Sequence, residues 1–197
     1  MSKVAITGNA SGTGTFTIAA PNSNTDWTLT LPDEAGTIVT SASSIAASQL
    51  PAGSVLQVVQ SVVSTLQSTT SQTYVDVTGL TATITPTSAS SKILVFVTPN
   101  IYLSTDGNGY PIYYLQLLRT STTIFRKKSY LYADRAANSY FELAAEGNMI
   151  YLDSPNTTSA ITYKVQTKVT YSSGTVTMVY QMSSEADSSI TLMEIAA

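Results

Sequence analysis

Few side chains in this sequence are suited to acid–base, nucleophilic or metal chemistry. Histidine and cysteine are both absent from the 197 residues. Their absence removes the commonest general base and metal ligand, and with them every Ser-His-Asp or Cys-His arrangement. Glu142 and Glu146 are the only pair that resembles the two carboxylates of a glycosidase, but on a strand or loop they are more simply two solvated charges. We therefore expect a protein that is not an enzyme.

The segment 106–109 (DGNG) resembles a fragment of a calcium-binding loop. Such a loop ends on a bidentate Glu, and Leu117 stands at that position. A tight turn explains the same residues without a metal. The Gly-rich stretch 8–14 lacks the Lys and the spacing of a phosphate-binding loop. The sequence therefore predicts no metal site and no cofactor.

Tyrosine is the one residue type whose distribution is informative. Seven of the 12 tyrosines fall between positions 102 and 140. Tyr is enriched at binding surfaces because it offers a large area with a polar tip, and it also stacks on sugar rings; core or inter-chain contacts are the alternative. If the protein binds a ligand through its loops, 104–111 and 127–138 are the first candidates. The predicted contact residues are Tyr102, Asp106, Asn108, Tyr110, Tyr130, Tyr132 and Arg135.

Charge is sparse throughout the chain. Charged residues make up 11% of the sequence and the formal net charge is -3, whereas an ordinary soluble domain has about 25% charged residues. Binding to a phosphate backbone is therefore not expected, and nucleic acid is not a predicted partner. The basic run 126–128 (RKK) is interpreted as a solvated loop. No apolar run approaches the about 18 residues of a membrane span, so no membrane insertion is expected.

The elements that must position any site are β-strands. In 161–171 the apolar residues Ile161, Tyr163 and Val165 share one parity, and Thr and Lys residues occupy the other. Ser172-Ser173-Gly174 interrupts the pattern, which resumes at Val176. Two alternating runs joined by a short Ser/Gly loop predict a β-hairpin, whose apolar face needs a second layer.

More strands follow the same pattern along the chain. Turn signals recur about every 8–12 residues from 72 onward, which predicts a jelly-roll-like antiparallel β-sandwich over 54–197. The apolar run 93–97 predicts a central strand buried on both faces. The run 53–71 is ambiguous, because its Val residues also fit a short coiled coil; strand propensity favours a strand.

A smaller unit precedes the sandwich. Residues 13–40 alternate apolar residues with Thr around two turns, which predicts a small β module over 1–40. It buries about six apolar side chains, too few to stand alone, so we expect it to dock on another surface. The docking residues predicted are Phe16, Ile18, Trp27, Leu29 and Leu31. The Ser/Ala-rich segment 41–53 is the predicted linker.

Several segments resemble a known family. Residues 14–21 (GTFTIAAP), 27–32 (WTLTLP) and 35–37 (AGT) resemble a module found near the N-termini of tailed-bacteriophage fibre and virion proteins. Residues 51–59 (PAGSVLQVV), 84–95 and 190–195 (ITLMEI) are similar to C-terminal domains of marine phage and cyanophage fibre-like proteins.

The resemblance implies a virion structural protein. It implies a homotrimer whose N-terminus docks on other virion proteins of the capsid or tail, with the sandwich outward as a knob that binds host cell-surface glycans. A chain of 197 residues is short for a tail fibre, which leaves open a head-fibre or capsid decoration protein. A stand-alone carbohydrate-binding module is a third hypothesis. The first 12 residues lack the apolar segment of a signal peptide, so we expect synthesis in the host cytoplasm and residence in the virion.

Overall fold

The computed structural model describes residues 10–15, 17, 19, 22–26, 28, 45, 47–105, 112–130, 141–171, 175–180 and 186–197. The chain divides into two units, Met1–Thr40 and Ser41–Ala197, and all the strands given below belong to the second. The predicted docking residues lie outside the described residues: Phe16, Ile18, Trp27, Leu29 and Leu31. The N-terminal module and the linker over 41–53 therefore stay predictions.

Within the described residues the protein is built from antiparallel strands and one 3-10 turn, Ala47–Gln49. The strands are β1 (Val55–Val63), β2 (Gln67–Thr69), β3 (Val75–Ile84), β4 (Lys92–Thr98), β5 (Asn100–Thr105), β6 (Ile112–Arg119), β7 (Thr122–Tyr130), β8 (Phe141–Glu146), β9 (Met149–Asp153), β10 (Ile161–Thr170), β11 (Val176–Tyr180) and β12 (Ser188–Ile195). The predicted all-β antiparallel sandwich is confirmed, and the ambiguous run 53–71 forms strands β1 and β2 rather than a coiled coil.

The strands form three four-stranded sheets. Sheet 1 has the order β1-β12-β4-β9, sheet 2 the order β3-β10-β6-β7, and sheet 3 the order β2-β11-β5-β8. Each strand of sheet 3 is the chain neighbour of the strand at the same place in sheet 1. Sheet 3 therefore continues sheet 1 beyond short breaks. One break is Pro99 between β4 and β5, which has no backbone N–H for a ladder bond.

A single hydrophobic core joins the sheets. Alternate residues of the central strands point into it and are 0% exposed, such as Ile93 and Val95 on β4 and Tyr163 and Val165 on β10. Burying an apolar side chain of this size contributes about 1.5–3 kcal/mol. The opposite parity of each strand faces outward, so sheets 1 and 2 each present one outer face on which a binding site can be built.

Two buried carboxylates tie strands together around this core. Asp153 on β9 accepts hydrogen bonds from Arg119 Nη1 at 3.1 Å and from the Tyr163 hydroxyl at 2.7 Å, which links sheet 1 to sheet 2. Glu194 on β12 accepts bonds from Thr87 N at 2.7 Å and from Gln57 Nε2 at 2.6 Å. A buried charge is tolerated only when it is paired in this way.

Three sequence interpretations need correction. The hairpin predicted over 160–182 is wrong, because β10 pairs with β3 and β6 whereas β11 pairs with β2 and β5. Alternation identifies a half-buried strand but does not choose its partner, and the connection crosses between layers that lie about 10 Å apart. Strand β4 is buried on one face only, since Leu94 and Phe96 on the other face are half-exposed.

The third correction concerns the basic run 126–128, which lies on strand β7 and not in a loop. Its side chains alternate, so Arg126 and Lys128 are exposed while Lys127 is half-buried. The Lys127 ammonium donates to the carbonyl of Asn148 at 3.2 Å. The run therefore places two of its three charges on one face of sheet 2.

Candidate functional site

The structure describes two of the seven contact residues predicted from the sequence. Tyr102 is half-buried on β5 of sheet 3, and Tyr130 is 64% exposed at the end of β7 in sheet 2. The two lie on different sheets. The other five lie outside the described residues: Asp106, Asn108, Tyr110, Tyr132 and Arg135. Ligand binding through the loops 104–111 and 127–138 therefore stays a prediction.

A second group of tyrosines lies on the outer face of sheet 2. The outward parity of β10, β6 and β7 brings cations and tyrosines side by side, with polar residues between them. We call this surface the lysine–tyrosine face. It comprises Tyr74, Asp76, Tyr114, Gln116, Arg126, Lys128, Tyr130, Lys164, Gln166 and Lys168.

The centre of the face is one cross-strand row. Lys168 on β10 is opposite Tyr114 on β6, which is opposite Lys128 on β7. Both ammonium groups lie over the Tyr114 ring, with Lys168 Nζ 4.6 Å and Lys128 Nζ 5.3 Å from its centroid. Cation–π contacts at exposed sites contribute about 0.5–1 kcal/mol each. The row therefore holds two positive charges beside one aromatic ring.

Two further tyrosines contact the lysines of this row. Lys128 Nζ also lies 4.4 Å from the centroid of the Tyr130 ring, and Lys168 Nζ lies 5.0 Å from that of Tyr74. Tyr130 lies two residues along β7 from Lys128, in the next row, where it is opposite Ile112. Because each lysine contacts two rings, both ammonium groups are confined near the plane of the face.

The neighbouring row consists of amides. Gln116 Nε2 donates to Gln166 Oε1 at 2.6 Å, and Gln166 Nε2 donates to Asp76 Oδ1 at 2.6 Å. Asp76 also forms an ion pair with Lys164 at 3.0 Å. These hydrogen bonds use the one carboxylate of the face. Within the described residues, neither Lys128 nor Lys168 has a carboxylate at ion-pair distance.

The face also shifts the pKa values of its own groups. The hydrogen bond with Thr170 has the largest effect on the Tyr114 hydroxyl and lowers its pKa below the ordinary value. The hydrogen bond with Lys128 lowers this pKa further. Hydrogen bonding to Tyr130 and then to Tyr114 raises the pKa of Lys128. The hydrogen bond from Gln166 and then that from Lys164 lower the pKa of Asp76. The raised pKa of Lys128 keeps its ammonium group charged at neutral pH, whereas the lowered pKa of Asp76 keeps that carboxylate ionised beside Lys164.

Part of this site was visible in the sequence. The alternation of Lys164, Gln166 and Lys168 marks a wet strand face, and Arg126, Lys128 and Tyr130 alternate in the same way. Interpreting 126–128 as a loop concealed the second pattern. The register that sets Tyr114 between the two lysines depends on strand pairing, which no local pattern specifies.

The outer face of sheet 1 has the opposite character. Val58, Met193, Leu94 and Leu152 form one row across its four strands. The next row runs through Gln60, Thr191, Phe96 and Ile150. Val58 is 54% exposed, Ile150 62% and Leu152 48%, and Lys92 stands at the border. We call these two rows the apolar face.

The described residues contain no cluster of three or more Asp and Glu residues arranged to hold a metal ion. No helix among them has the length and apolar character needed to cross a membrane. The candidate functional surfaces of the described residues are therefore the two outer faces.

No protein-family model matches the sequence, and no curated protein matches it significantly. Solved structures of infectious bursal disease virus are similar in fold. The Gx strain structure shares 11% identity at a TM-score of 0.32, over 73% of this chain and 39% of that one. The VP2 subviral particle shares 10% identity at a TM-score of 0.31, over 73% of this chain and 39% of that one. The T13 viral particle shares 10% identity at a TM-score of 0.30, over 72% of this chain and 36% of that one.

These neighbours come from viral particles. The chain spans 36% to 39% of the length of the chains it matches. At such identities and TM-scores the likeness carries no argument about function. A functional proposal must therefore depend on the surfaces of this chain and on its sequence.

Proposed function

We propose that this protein is a structural component of a tailed-phage virion, a short homotrimeric fibre or spike. Its N-terminal unit anchors it to the particle, and the β-sandwich points outward as a knob that attaches to glycans of the host surface. The sequence resemblance of 14–37 supports the anchoring part. The observation that carries the proposal is the contrast between the two outer faces of the sandwich, one apolar and one cationic and aromatic.

The apolar face supports self-association. Two rows, each about 6.8 Å deep along the strands, cross four strands about 4.8 Å apart and give the face a projected area of about 260 Å². That approaches the largest patches found on monomers, which are frequently functional, and is about a third of what a standard interface buries per partner. A second copy of this chain fits better than a charged partner, because the two rows offer no charge to pair with. Symmetric association is also the commonest arrangement of such surfaces.

Light scattering of the full chain across a dilution series tests this association. We expect a trimer, and we expect Ile150→Glu to lower its mass because the interface would have to bury a charge without a partner. Thr122→Glu is the matched control, since it adds the same charge at an exposed position of β7. A wild-type monomer at every concentration would contradict the trimer, and equal masses of the two variants would contradict the apolar face as its interface.

The mass also separates the alternative functions. A monomer whose N-terminal segment is disordered in solution and becomes ordered on purified particles would indicate a capsid decoration or head-fibre protein. A monomer that binds one sugar in a saturable way would indicate a carbohydrate-binding module. We also infer that the protein is not an enzyme, and release of reducing sugars from host polysaccharide by the purified chain would overturn that inference.

Host attachment is tested by adding the labelled full chain to host cells. We expect saturable binding that periodate oxidation of the cell-surface glycans abolishes. Binding that survives complete removal of the glycans would point to a protein receptor. Absence of binding to any permissive cell would remove the adhesive part of the proposal and favour a purely structural role in the particle.

A further inference from the structure

We propose that the lysine–tyrosine face binds an acidic polysaccharide, with Lys128 and Lys168 contacting successive anionic groups of the sugar chain. This inference rests on the proposed function, because it names the class of glycan that the knob would recognise. It concerns the flat outer face of sheet 2, and not the loops that the sequence singled out.

The lysine–tyrosine face carries a local excess of positive charge. Four of the nine cations of the chain lie on this face, although the whole chain has a formal net charge of -3. The face carries one carboxylate, Asp76, and Lys164 pairs with it. Arg126, Lys128 and Lys168 remain as a local excess of positive charge. Such an excess on an otherwise acidic protein attracts anions to one place on its surface.

Tyrosine rings hold the two ammonium groups of Lys128 and Lys168 in place. A carboxylate neighbour would fix a lysine but would also cancel its charge. A tyrosine ring fixes the ammonium through its quadrupole and leaves the net charge in place. Lys128 and Lys168 are each held by two rings. They are therefore positioned in advance for an anion, which lowers the entropy lost on binding.

The spacing of the two charges indicates the form of the ligand. Both ammonium groups lie within 5.3 Å of the Tyr114 ring centroid, so their separation is at most about 10 Å. This is about the length of a disaccharide, so a chain with an acidic group on each repeat can contact both lysines. The row crosses the three neighbouring strands β10, β6 and β7, so its two lysines lie along one line of the sheet surface, which suits an extended polymer.

The same geometry argues against two other ligands. An ammonium group lies over the Tyr114 ring from each neighbouring strand, so this ring is not free to stack on a neutral sugar or a nucleobase. Nucleic acid binding depends on neutralising many phosphates, and three cations are few for that purpose. Single-stranded nucleic acid binders also need exposed aromatic faces for stacking. An acidic polysaccharide uses the charges that the face presents.

Isothermal titration of the full chain tests the proposal. The probes are oligomers of polygalacturonate, neutral malto-oligosaccharide of equal length, and oligothymidylate. We expect polygalacturonate alone to bind, and its affinity to fall as salt is added because the charges are exposed. Lys128→Gln and Lys168→Gln should each weaken binding about fivefold. Lys92→Gln is the matched control, because it removes the same charge from the border of the apolar face.

Substitutions of Tyr114 test the role of the ring. Tyr114→Phe keeps an aromatic face and should bind within about twofold of wild type, whereas Tyr114→Leu should weaken binding about as much as loss of one lysine. Circular dichroism of each variant checks that the sheet is retained. Equal affinities of the Phe and Leu variants would overturn the assigned role of the ring.

Different results would overturn this inference and the proposed function. Three results would overturn the acidic-glycan inference: equal binding of the neutral sugar, tighter binding of oligothymidylate, or no binding of polygalacturonate. If the chain still binds host cells in that case, host attachment stands. Polygalacturonate binding that depends on both lysines, together with no binding to permissive cells, would support the inference and remove the attachment role.

Discussion

The Tyr163 hydroxyl on β10 donates a hydrogen bond to Asp153 on β9 across the core, with an O···O distance of 2.7 Å. Both residues are buried, Tyr163 at 0% and Asp153 at 5% exposure. Arg119 on β6 contacts the same carboxylate from the other side. Sheets 1 and 2 are thus joined by a polar contact inside an apolar core, where each group depends on the others for its partner.

We predict that Tyr163→Phe destabilises the protein by about 2 kcal/mol. The ring still fills the core, but the buried carboxylate loses a donor, and hydrogen bonds to charged groups contribute about 1.5–3 kcal/mol. Urea unfolding at one fixed protein concentration measures the change in the free energy of unfolding, with the concentration fixed because an oligomer's stability depends on it.

Tyr151→Phe is the matched control for this variant. Tyr151 is half-buried and packs against Phe125 at a centroid distance of 5.7 Å. Removing its hydroxyl should change stability by less than about 0.5 kcal/mol. Equal stabilities of the two variants would mean that the Asp153 contact adds nothing beyond the packing of the rings.

The Asp153 contact also shows what the sequence was able to predict. The parity of 161–165 placed Tyr163 on the apolar face of a strand, and the structure confirms this. Its partner Asp153 lies at the end of β9, and no local pattern specifies the place of that strand in sheet 1. Local alternation determines which side of a strand is buried, whereas pairing depends on which strands meet across the whole sandwich.

The lysine–tyrosine face has the same limitation. The outward positions of Lys164 and Lys168 followed directly from the sequence pattern. The contact of Lys168 with Tyr114 links residues on β10 and β6, which are far apart in the chain, through a register that only the folded sheet defines. Predictions based on loops led instead to Asp106 and Tyr132, which lie outside the described residues.

We predict that Gly147→Ala destabilises the protein by about 1–3 kcal/mol. Gly147 lies between β8 and β9, and a Cβ there would approach Pro99 Cγ to 2.6 Å and Leu115 Cδ1 to 2.8 Å, with Ile101 closer still. Three core side chains would have to move together, which is the usual cost of overpacking. Thermal unfolding followed by circular dichroism measures the effect.

Gly14→Ala provides the comparison for that change. No atom lies within 4 Å of the position that its Cβ would occupy, so the same added methyl group meets open space. We expect its unfolding temperature to equal that of the wild type. A Gly147→Ala variant with an unchanged unfolding temperature would show that the core around Pro99 yields without cost.

We predict that Glu194 makes stability depend on pH in the acidic range. Burial alone would raise the pKa of its carboxyl, but hydrogen bonds from Gln57 and Thr87 outweigh burial and lower the pKa below its ordinary value. The unfolded chain therefore binds the proton more readily than the folded chain. Stability from this group is present above the ordinary Glu pKa of about 4.3, and it is lost as the pH falls through the lowered value.

Glu194→Gln tests this dependence because it keeps the size of the side chain. We expect the variant to be less stable than wild type by about 1–3 kcal/mol at pH 7, since Gln57 Nε2 then faces an amide in place of a carboxylate. The difference should shrink in acid, as the pH falls through the lowered pKa of the wild-type carboxyl. Asp187→Asn is the control variant, because it removes a carboxylate charge at an exposed position outside this cluster. A Glu194→Gln deficit that is the same at both pH values would mean that the packing of the side chain, and not its charge, secures the C-terminal strand.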